Sequence, residues 1–153
     1  MKSKAKDVMT KDPACCTPQT NLREVGQMMV AMDCGAIPVV ENKDTMKLIG
    51  IITDRDIVCR TVAQGKNPLE LTANDAMSHP IVSAQPESNL DQCCELMEEN
   101  QVRRIPIADE EGRCCGIVTQ AHISQHAKSK EVAQVVKDVS KKTKSPSAIT
   151  ASA

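Results

Sequence analysis

The sequence predicts an α/β fold, of the α+β kind, built from two tandem repeats that each run β-α-β-β-α. The chain matches itself when it is shifted by 68 residues, and short apolar runs alternate with helical patterns in both copies. Its 153 residues are 41% hydrophobic and 25% charged, which is typical of a globular protein. Because a unit of about 60 residues buries little apolar surface alone, we expect the repeats to pack sheet to sheet about a pseudo-two-fold axis.

The self-match sets the domain organisation. Asp7 aligns with Asp75, and after a loop that is two residues shorter in the second copy, Gly50 aligns with Gly116. Four valines at helical spacing predict one more helix after the repeats. The predicted parts are, in order, repeat 1 at 7–64, repeat 2 at 75–127, a C-terminal helix at 130–140 and a tail without fixed structure at 141–153.

The same elements follow one another in each repeat. A short strand precedes an amphipathic helix, two apolar runs separated by a polar loop follow as buried strands, and a second helix closes the unit. The candidate N-caps of the amphipathic helix are Asn21 or Thr20 in one copy and Asn89 or Ser88 in the other. The predicted elements are short strands around 14–16 and 81–83, a helix over 21–32 and its counterpart, strands at 36–40, 48–52, 105–108 and 114–118, and helices starting near 54 and 120.

Charge and residue types exclude several classes of function. Nineteen basic and twenty acidic residues leave a net charge of −1, which provides no field to attract nucleic acid or an anionic membrane. Phe, Trp and Tyr are absent, so no aromatic side chain stacks on a base. No run reaches the roughly 18–20 apolar residues of a membrane span, and the N-terminus leads into no secretion segment. We expect a cytoplasmic protein with reduced thiols and without nucleic-acid or membrane partners.

The strongest local motif is Gly50-Ile51-Ile52-Thr53-Asp54-Arg55-Asp56, in which an apolar strand runs into a helix. Thr53 and Asp56 stand three residues apart across the junction, so both side chains can face one point. A helix N-terminus favours phosphate, Asp56 suits the two hydroxyls of a ribose, and Thr53 suits a phosphate oxygen. The alternative is structural: Thr53 or Asp54 caps the helix and Asp56 complements its dipole.

A duplicated unit with Met9-Thr10 near its start, an Ile-Pro strand and a Gly-h-h-Thr-x-x-Asp junction resembles the CBS domain family. The stretches 53–58 and 98–106 are similar to stand-alone bacterial CBS pairs of the hypoxia-response type. The resemblance implies a CBS pair (Bateman module), a homodimer forming a disc of four repeats, and AMP, ADP, ATP, S-adenosylmethionine or NAD bound in the cleft between repeats. It implies a regulatory role in signal transduction, no enzyme activity, no obligatory cofactor and an unknown regulated protein as partner.

The resemblance also implies which positions bind the adenosine nucleotide. Asp56 and Thr53 match the family residues that contact ribose and phosphate. Ile37 and Pro38 of the Ile-Pro strand, with Ile81 near the first short strand of repeat 2, are expected to enclose adenine. The remaining candidates in the two copies are Thr10, Ser78, Arg55, Arg103, Arg104, Thr119 and His122.

The two copies differ at this motif. His122 stands where the first repeat has Asp56, so the ribose acceptor is replaced in the second copy. Conversely, the Ile-Pro strand follows Ala36 in the first repeat but Arg103-Arg104 in the second, and these bases suit phosphate. We therefore expect nucleotide at the Asp56 site in preference to the His122 site.

Eight cysteines support a rival hypothesis, a thiol- or metal-responsive sensor on the same scaffold. There is no C-x-x-C pair, and the repeat alignment places several cysteines opposite apolar residues, which predicts small hydrophobes in the core. These core predictions concern Cys34, Cys93, Cys114 and Cys115, whereas the best redox or metal candidate is Cys15-Cys16.

His122 and His126 lie one helical turn apart without a third ligand at a convincing spacing, which favours a solvated face over a metal site. Nothing resembles a nucleophile with its base and acid. The third hypothesis is a purely dimerising adaptor with degenerate clefts.

Overall fold

Helices and short strands alternate along the chain. The computed structural model describes residues 2–79, 81–126 and 129–141, and the side chains of 2–79, 81–126 and 134–141. The helices are α1 (Ala5–Val8), α2 (Leu22–Met32), α3 (Asp54–Arg60), α4 (Ala73–Ala76), α5 (Leu90–Asn100), α6 (Gln120–His126) and α7 (Ser129–Val139). The strands are β1 (Thr10–Lys11), β2 (Ala36–Val40), β3 (Leu48–Thr53), β4 (Arg104–Ala108) and β5 (Cys114–Thr119). Short 3-10 turns occupy Val62–Gln64 and Pro68–Glu70. The α+β class is confirmed.

The chain divides into two compact units, and neither is one contiguous stretch. Unit 1 combines the body of the second repeat with the segment that precedes the first short strand of the first repeat. Unit 2 combines the body of the first repeat with the segment that leads into the first short strand of the second repeat. Within the described residues, unit 1 comprises 2–12, 82–111, 115–126 and 129–141, and unit 2 comprises 13–79, 81 and 112–114. The predicted repeat bounds are units of sequence rather than of packing, and they stay a prediction.

Unit 2 is built on the antiparallel pair β2–β3, whose register runs from Ala36 opposite Thr53 to Val40 opposite Leu48. Ser78 adds a third backbone partner to β3, since its N–H donates to the carbonyl of Ile51 over 2.8 Å and its carbonyl accepts from Ile51 over 3.1 Å. Without aromatic residues, the core is filled by Leu, Val, Met, Ile, Cys and Ala: Cys16, Leu22, Val25, Met29, Ile37, Val39, Ile52, Ala73, Ala76 and Met77.

Unit 1 repeats this construction with different chain segments. Its sheet has the order β1-β5-β4, and Thr10 of β1 faces Ile117 of β5. The segment around Thr10 therefore supports the second repeat as the segment around Ser78 supports the first. The core cluster has the same composition: Ala5, Ala84, Leu90, Cys93, Cys94, Met97, Ile105, Ile107, Val118, Ile123, Val135 and Val139.

The amphipathic helices α2 and α5 begin and end alike. Asn21 and Asn89 are their N-caps, and their side-chain oxygens accept the N–H of Glu24 over 2.8 Å and of Gln92 over 2.9 Å. Both helices end on a residue in the left-handed region, Asp33 in α2 and Gln101 in α5. The asparagine alternatives among the predicted N-caps are thus the ones that the structure adopts.

The first short strand of each repeat is reduced to a single bridge. Cys16 pairs with Val39, at the end of the strand predicted around 14–16. In the second copy Ala84 pairs with Ile107, which lies one residue beyond the strand predicted around 81–83. A single bridge is too short for strand propensity to set its position.

The C-terminal helix α7 packs through Val135 and Val139, which are buried, while Val136 is 44% exposed. The predicted tail lies outside the described residues apart from Lys141, whose ammonium is 3.0 Å from a carboxylate oxygen of Asp138. Within the described part of the chain, no helix has the length and apolar composition needed to cross a bilayer.

Candidate functional site

The end of β3 and the start of α3 form a reciprocally capped junction in unit 2. The Thr53 hydroxyl oxygen accepts the N–H of Asp56 over 3.0 Å, and the Asp56 oxygen Oδ2 accepts the N–H of Thr53 over 3.0 Å. This is a capping box, in which both orphan donors of the first turn find an acceptor. The structural alternative considered for this motif is therefore realised in part, since Thr53 is the cap and one Asp56 oxygen completes it.

The second carboxylate oxygen of Asp56 faces a segment from further along the chain. The Ser78 hydroxyl donates to Asp56 Oδ1 over 3.3 Å, and both side chains are half-buried. A carboxylate offers about four lone-pair positions. Because Thr53 and Ser78 use one position on each oxygen, the group retains capacity to accept two more hydroxyl donors from a ligand.

The other candidates of unit 2 take different positions. Ile37 is 1% exposed and packs in the core, while Pro38 is buried in β2 opposite Ile51. Ile81 is half-buried, and Arg55 is exposed on the first turn of α3. One compact body thus holds the Asp56 carboxylate, the Thr53 and Ser78 hydroxyls, the exposed base Arg55 and the aliphatic candidates.

Unit 1 has the same junction with an imidazole in place of the carboxylate. The Thr119 N–H donates to His122 Nδ1 over 3.0 Å, and the His122 N–H lies 3.4 Å from the Thr119 hydroxyl oxygen. Accepting at Nδ1 requires the neutral tautomer with its proton on Nε2. Burial and the neighbouring His126 lower the pKa of His122 below its ordinary value, which favours this neutral form. The free ring nitrogen is then a donor, not a second acceptor.

The remaining unit 1 candidates lie on neighbouring strands. Thr10 is exposed, and it pairs with Ile117 of β5, the strand that ends at Thr119. Arg103 is exposed and Arg104 is half-buried at the start of β4, and the Arg103 carbonyl accepts the N–H at the start of α6 over 3.0 Å. The twelve candidates therefore separate into seven in unit 2 and five in unit 1: Ile37, Pro38, Thr53, Arg55, Asp56, Ser78 and Ile81, then Thr10, Arg103, Arg104, Thr119 and His122.

Gly50 permits the close approach of Ser78, a role that the motif reading did not assign to it. A Cβ at Gly50 would lie 2.9 Å from the Ser78 carbonyl oxygen and 3.2 Å from Met77 Cε. In the sequence, this requirement is visible only as a glycine three residues before the threonine in both repeats, Gly50 before Thr53 and Gly116 before Thr119.

Arg60, at the last turn of α3, is a second residue that sequence reasoning missed. Its Nη1 donates to the carbonyl of Met77 over 2.6 Å and to that of Ala76 over 3.3 Å. No repeat signal points to this residue, because the matching position of the second repeat is His126.

Most cysteines occupy the core, as the repeat alignment predicts. Cys93 and Cys114 are 0% and 6% exposed, and Cys115 is half-buried like its counterpart Ile49. The prediction for Cys34 is wrong, because this residue is exposed. Its counterpart Val102 is itself 37% exposed, so an apolar match did not indicate burial here.

The Cys15-Cys16 pair is buried in unit 2 rather than presented to solvent. Burial raises the pKa of the Cys16 thiol to about 12, which disfavours the thiolate that redox and metal chemistry requires. Within the part of the chain that the structure describes, no three His, Cys, Asp or Glu side chains are grouped to hold a metal ion.

Comparison with known proteins identifies the family. The family model of the CBS domain matches twice, over residues 5–60 and 73–128. The chain belongs to the CBS-domain family. It is 34% identical over 135 residues to Hypoxic response protein 1 of Mycobacterium tuberculosis, covering 88% of this chain and 92% of that protein. It is also 36% identical over 119 residues to an uncharacterized protein of Methanopyrus kandleri, covering 78% of this chain but only 60% of the relative's length.

Solved CBS-pair structures share the fold. The crystal structure of Hypoxic Response Protein I with two coordinated zinc ions is 32% identical with a TM-score of 0.73, over 82% of this chain and 100% of that one. The CBS-domain pair of protein MJ0100, in complex with 5′-methylthioadenosine and S-adenosyl-L-methionine, is 25% identical with a TM-score of 0.72, over 81% and 98% of the two chains. The predicted tandem CBS pair is thus confirmed, and the MJ0100 pair of this fold is in complex with two adenosine compounds.

Proposed function

We propose that this CBS pair is a regulatory sensor that binds an adenosine-type nucleotide at Asp56. The observation that carries the proposal is the half-buried Asp56 carboxylate, which the N–H of Thr53 and the hydroxyl of Ser78 hold in place with acceptor capacity remaining. The MJ0100 complex supports the ligand class, because both of its ligands contain an adenosine ribose.

Each group at the junction has a defined part in this proposal. Asp56 accepts the two ribose hydroxyls, and these charge-assisted bonds are roughly twice as strong as neutral ones. The Thr53 hydroxyl and the exposed Arg55 meet the phosphate, while Ile81 and the β2 backbone around Pro38 flank the base. A base held between aliphatic side chains and backbone suits a chain without aromatic residues.

The test is isothermal titration of the full chain with AMP, ATP and S-adenosylmethionine, repeated on Asp56→Asn. The asparagine oxygen still accepts the Thr53 N–H and so keeps the cap, but its amide nitrogen replaces the second acceptor. Loss of one charge-assisted acceptor predicts affinity at least about tenfold weaker with an unchanged fold.

Two further variants separate binding from stability. Asp54→Asn makes the same charge change two residues away at an exposed position, and it is expected to bind like the parent. Asp56→Ala also removes the acceptor of the Thr53 N–H, which adds a loss of about 0.5–1.5 kcal/mol of stability, while the Thr53 hydroxyl still caps the helix. If Asp56→Asn binds with the parent's affinity, or the parent binds none of the three compounds, the proposed site is refuted.

The two junctions differ in the acceptors that they can offer to a ribose. His122 provides one ring acceptor, already used by Thr119, so we propose that the unit 1 junction binds the ribose weakly. Its bases Arg103 and Arg104 remain available for phosphate. The homodimer, the cytoplasmic location, the absence of enzyme activity and a regulated protein partner belong to the same proposal.

A further inference from the structure

Arg60 ties the end of α3 to the segment that precedes the second repeat's first short strand. Its guanidinium donates to two consecutive carbonyls, Met77 over 2.6 Å and Ala76 over 3.3 Å, and the side chain is half-buried. A charged donor on a carbonyl is stronger than a neutral one, and a planar guanidinium fixes direction as well as distance.

The clamped carbonyls lie immediately before Ser78, the residue whose hydroxyl reaches Asp56. Asp56 and Arg60 are four residues apart in α3, so both side chains project from the same face of the helix. One turn of α3 therefore holds this segment at two points, with Arg60 on the backbone of Met77 and Asp56 on the side chain of Ser78.

The unit 1 counterpart lacks this arrangement. His126 takes the position of Arg60, it is exposed, and its Nδ1 lies 2.8 Å from the His122 carbonyl of its own helix. The corresponding segment passes along β5 through the backbone pairing of Thr10 with Ile117. A clamp of this kind thus accompanies the carboxylate junction and not the imidazole junction.

We propose that Arg60 is a positioning residue for the ligand at Asp56. Arg60 fixes the backbone of Met77, and the fixed backbone places the Ser78 hydroxyl. The Ser78 hydroxyl in turn orients the Asp56 carboxylate that receives the ribose. The inference rests on the proposed function at Asp56, and it adds a residue that touches no ligand.

The test is a double-mutant cycle on the full chain, measured by titration with whichever of AMP, ATP and S-adenosylmethionine binds the parent most tightly. Arg60→Met and Ser78→Ala are each expected to weaken binding about fivefold, the value of one ordinary hydrogen bond. If Arg60 acts through Ser78, the double variant loses no more than the larger single loss. Arg60→Lys keeps a charged donor and is expected to recover most of the affinity, and Arg23→Met controls for removal of one exposed arginine from the same unit.

Hydrogen exchange provides a readout that does not depend on a ligand. The Ser78 N–H, which donates to the Ile51 carbonyl, should exchange faster in folded Arg60→Met, while amides within α2 are unchanged. Parent-like binding by Arg60→Met, losses that multiply to about 25-fold in the double variant, or unchanged Ser78 exchange would each overturn the inference. If Arg60→Met does not fold, the same exchange measurement on Arg60→Gln decides, because this variant stays polar but loses the charged guanidinium; faster Ser78 exchange supports the inference and parent-like exchange overturns it. A parent that binds no nucleotide refutes the proposed function, whereas the exchange result still decides whether Arg60 positions Ser78.

Discussion

Gly50 and Gly116 occupy matching positions of the two repeats, but a methyl group added at each would meet different neighbours. At Gly50 it would lie 2.9 Å from the Ser78 carbonyl oxygen, which belongs to backbone paired with Ile51. At Gly116 it would overlap the sulfur of Met9, and its other close neighbours are also side-chain atoms of Met9. We therefore predict that Gly50→Ala is the more harmful of the two substitutions.

The magnitudes follow from what has to move. Neither glycine has a left-handed φ, so alanine brings a gain of about 0.4–1 kcal/mol by restricting the unfolded chain in both cases. At Gly50 the backbone of Ser78 must shift, and overpacking of this kind costs about 1–3 kcal/mol. At Gly116 the half-buried side chain of Met9, which has three rotatable bonds, can rotate away. The free-energy cost of this rotation is close to the gain from restricting the unfolded chain. The expected net losses are about 1–2 kcal/mol for Gly50→Ala and within about 0.5 kcal/mol of zero for Gly116→Ala.

Thermal unfolding followed by circular dichroism measures this difference. For a chain of this length, about 1–2 kcal/mol corresponds to a fall in Tm of roughly 2–8 °C. Gly50→Ala should also weaken nucleotide binding, because it moves Ser78 away from Asp56, whereas Gly116→Ala should bind like the parent. The reasoning is refuted if Gly116→Ala is destabilised as much as Gly50→Ala, since flexible side-chain and fixed backbone neighbours would then be equivalent.

Two further predictions concern the thiols and the response to acid. The exposed Cys34 should react with a thiol reagent within the native protein, while Cys93, whose pKa burial raises to about 11, should react only on unfolding; equal labelling rates would contradict the core assignment. The pKa of His122 in the folded protein lies below its ordinary 6.5, so His122 of the unfolded chain is protonated at a higher pH than His122 of the folded chain. The free energy of unfolding should therefore fall as the pH drops below about 6.5. His122→Asn keeps a neutral acceptor for the Thr119 N–H and should flatten the dependence of Tm on pH between about 7.5 and 5.5; an unchanged slope would assign it to other groups.

The sequence predicted the elements whose signals are local. The amphipathic pattern and the asparagine before it were enough to locate α2 and α5, because spacing and capping act within a few residues. The burial of Cys93 also followed, since its counterpart Val25 lies on the same buried face. The error at Cys34 has the same root: residue type at a matched position reports chemistry, while exposure depends on where α2 ends and the chain turns at Asp33.

Pairing between distant segments was not predictable in this way. The bridge from Ser78 to Ile51 joins residues from different repeats, and nothing in either short stretch encodes the partner. The motif reading therefore found Thr53 and Asp56, which are neighbours in sequence, and it named Ser78 only from the family resemblance. The role of Arg60 was not predicted at all, because its side chain donates to main-chain carbonyls, and every residue type has the same carbonyl.

Two of the positions at which the repeats differ lie on one helical face. Positions 56 and 60 of α3 are an acid and a base directed at the same segment, while the matching positions of α6 are His122 and His126. Both units share two backbone features: the Thr53 and Thr119 hydroxyls face the N–H three residues later, and a short segment pairs with the strand that precedes each helix. A duplicated fold can thus keep its capping and strand pairing while two side chains one turn apart set the difference. In unit 2 these side chains provide an acceptor and a fixed backbone. In unit 1 the ring of His122 bonds to Thr119 and that of His126 lies against the His122 carbonyl, so the proposed preference for a ribose at Asp56 needs no difference in fold.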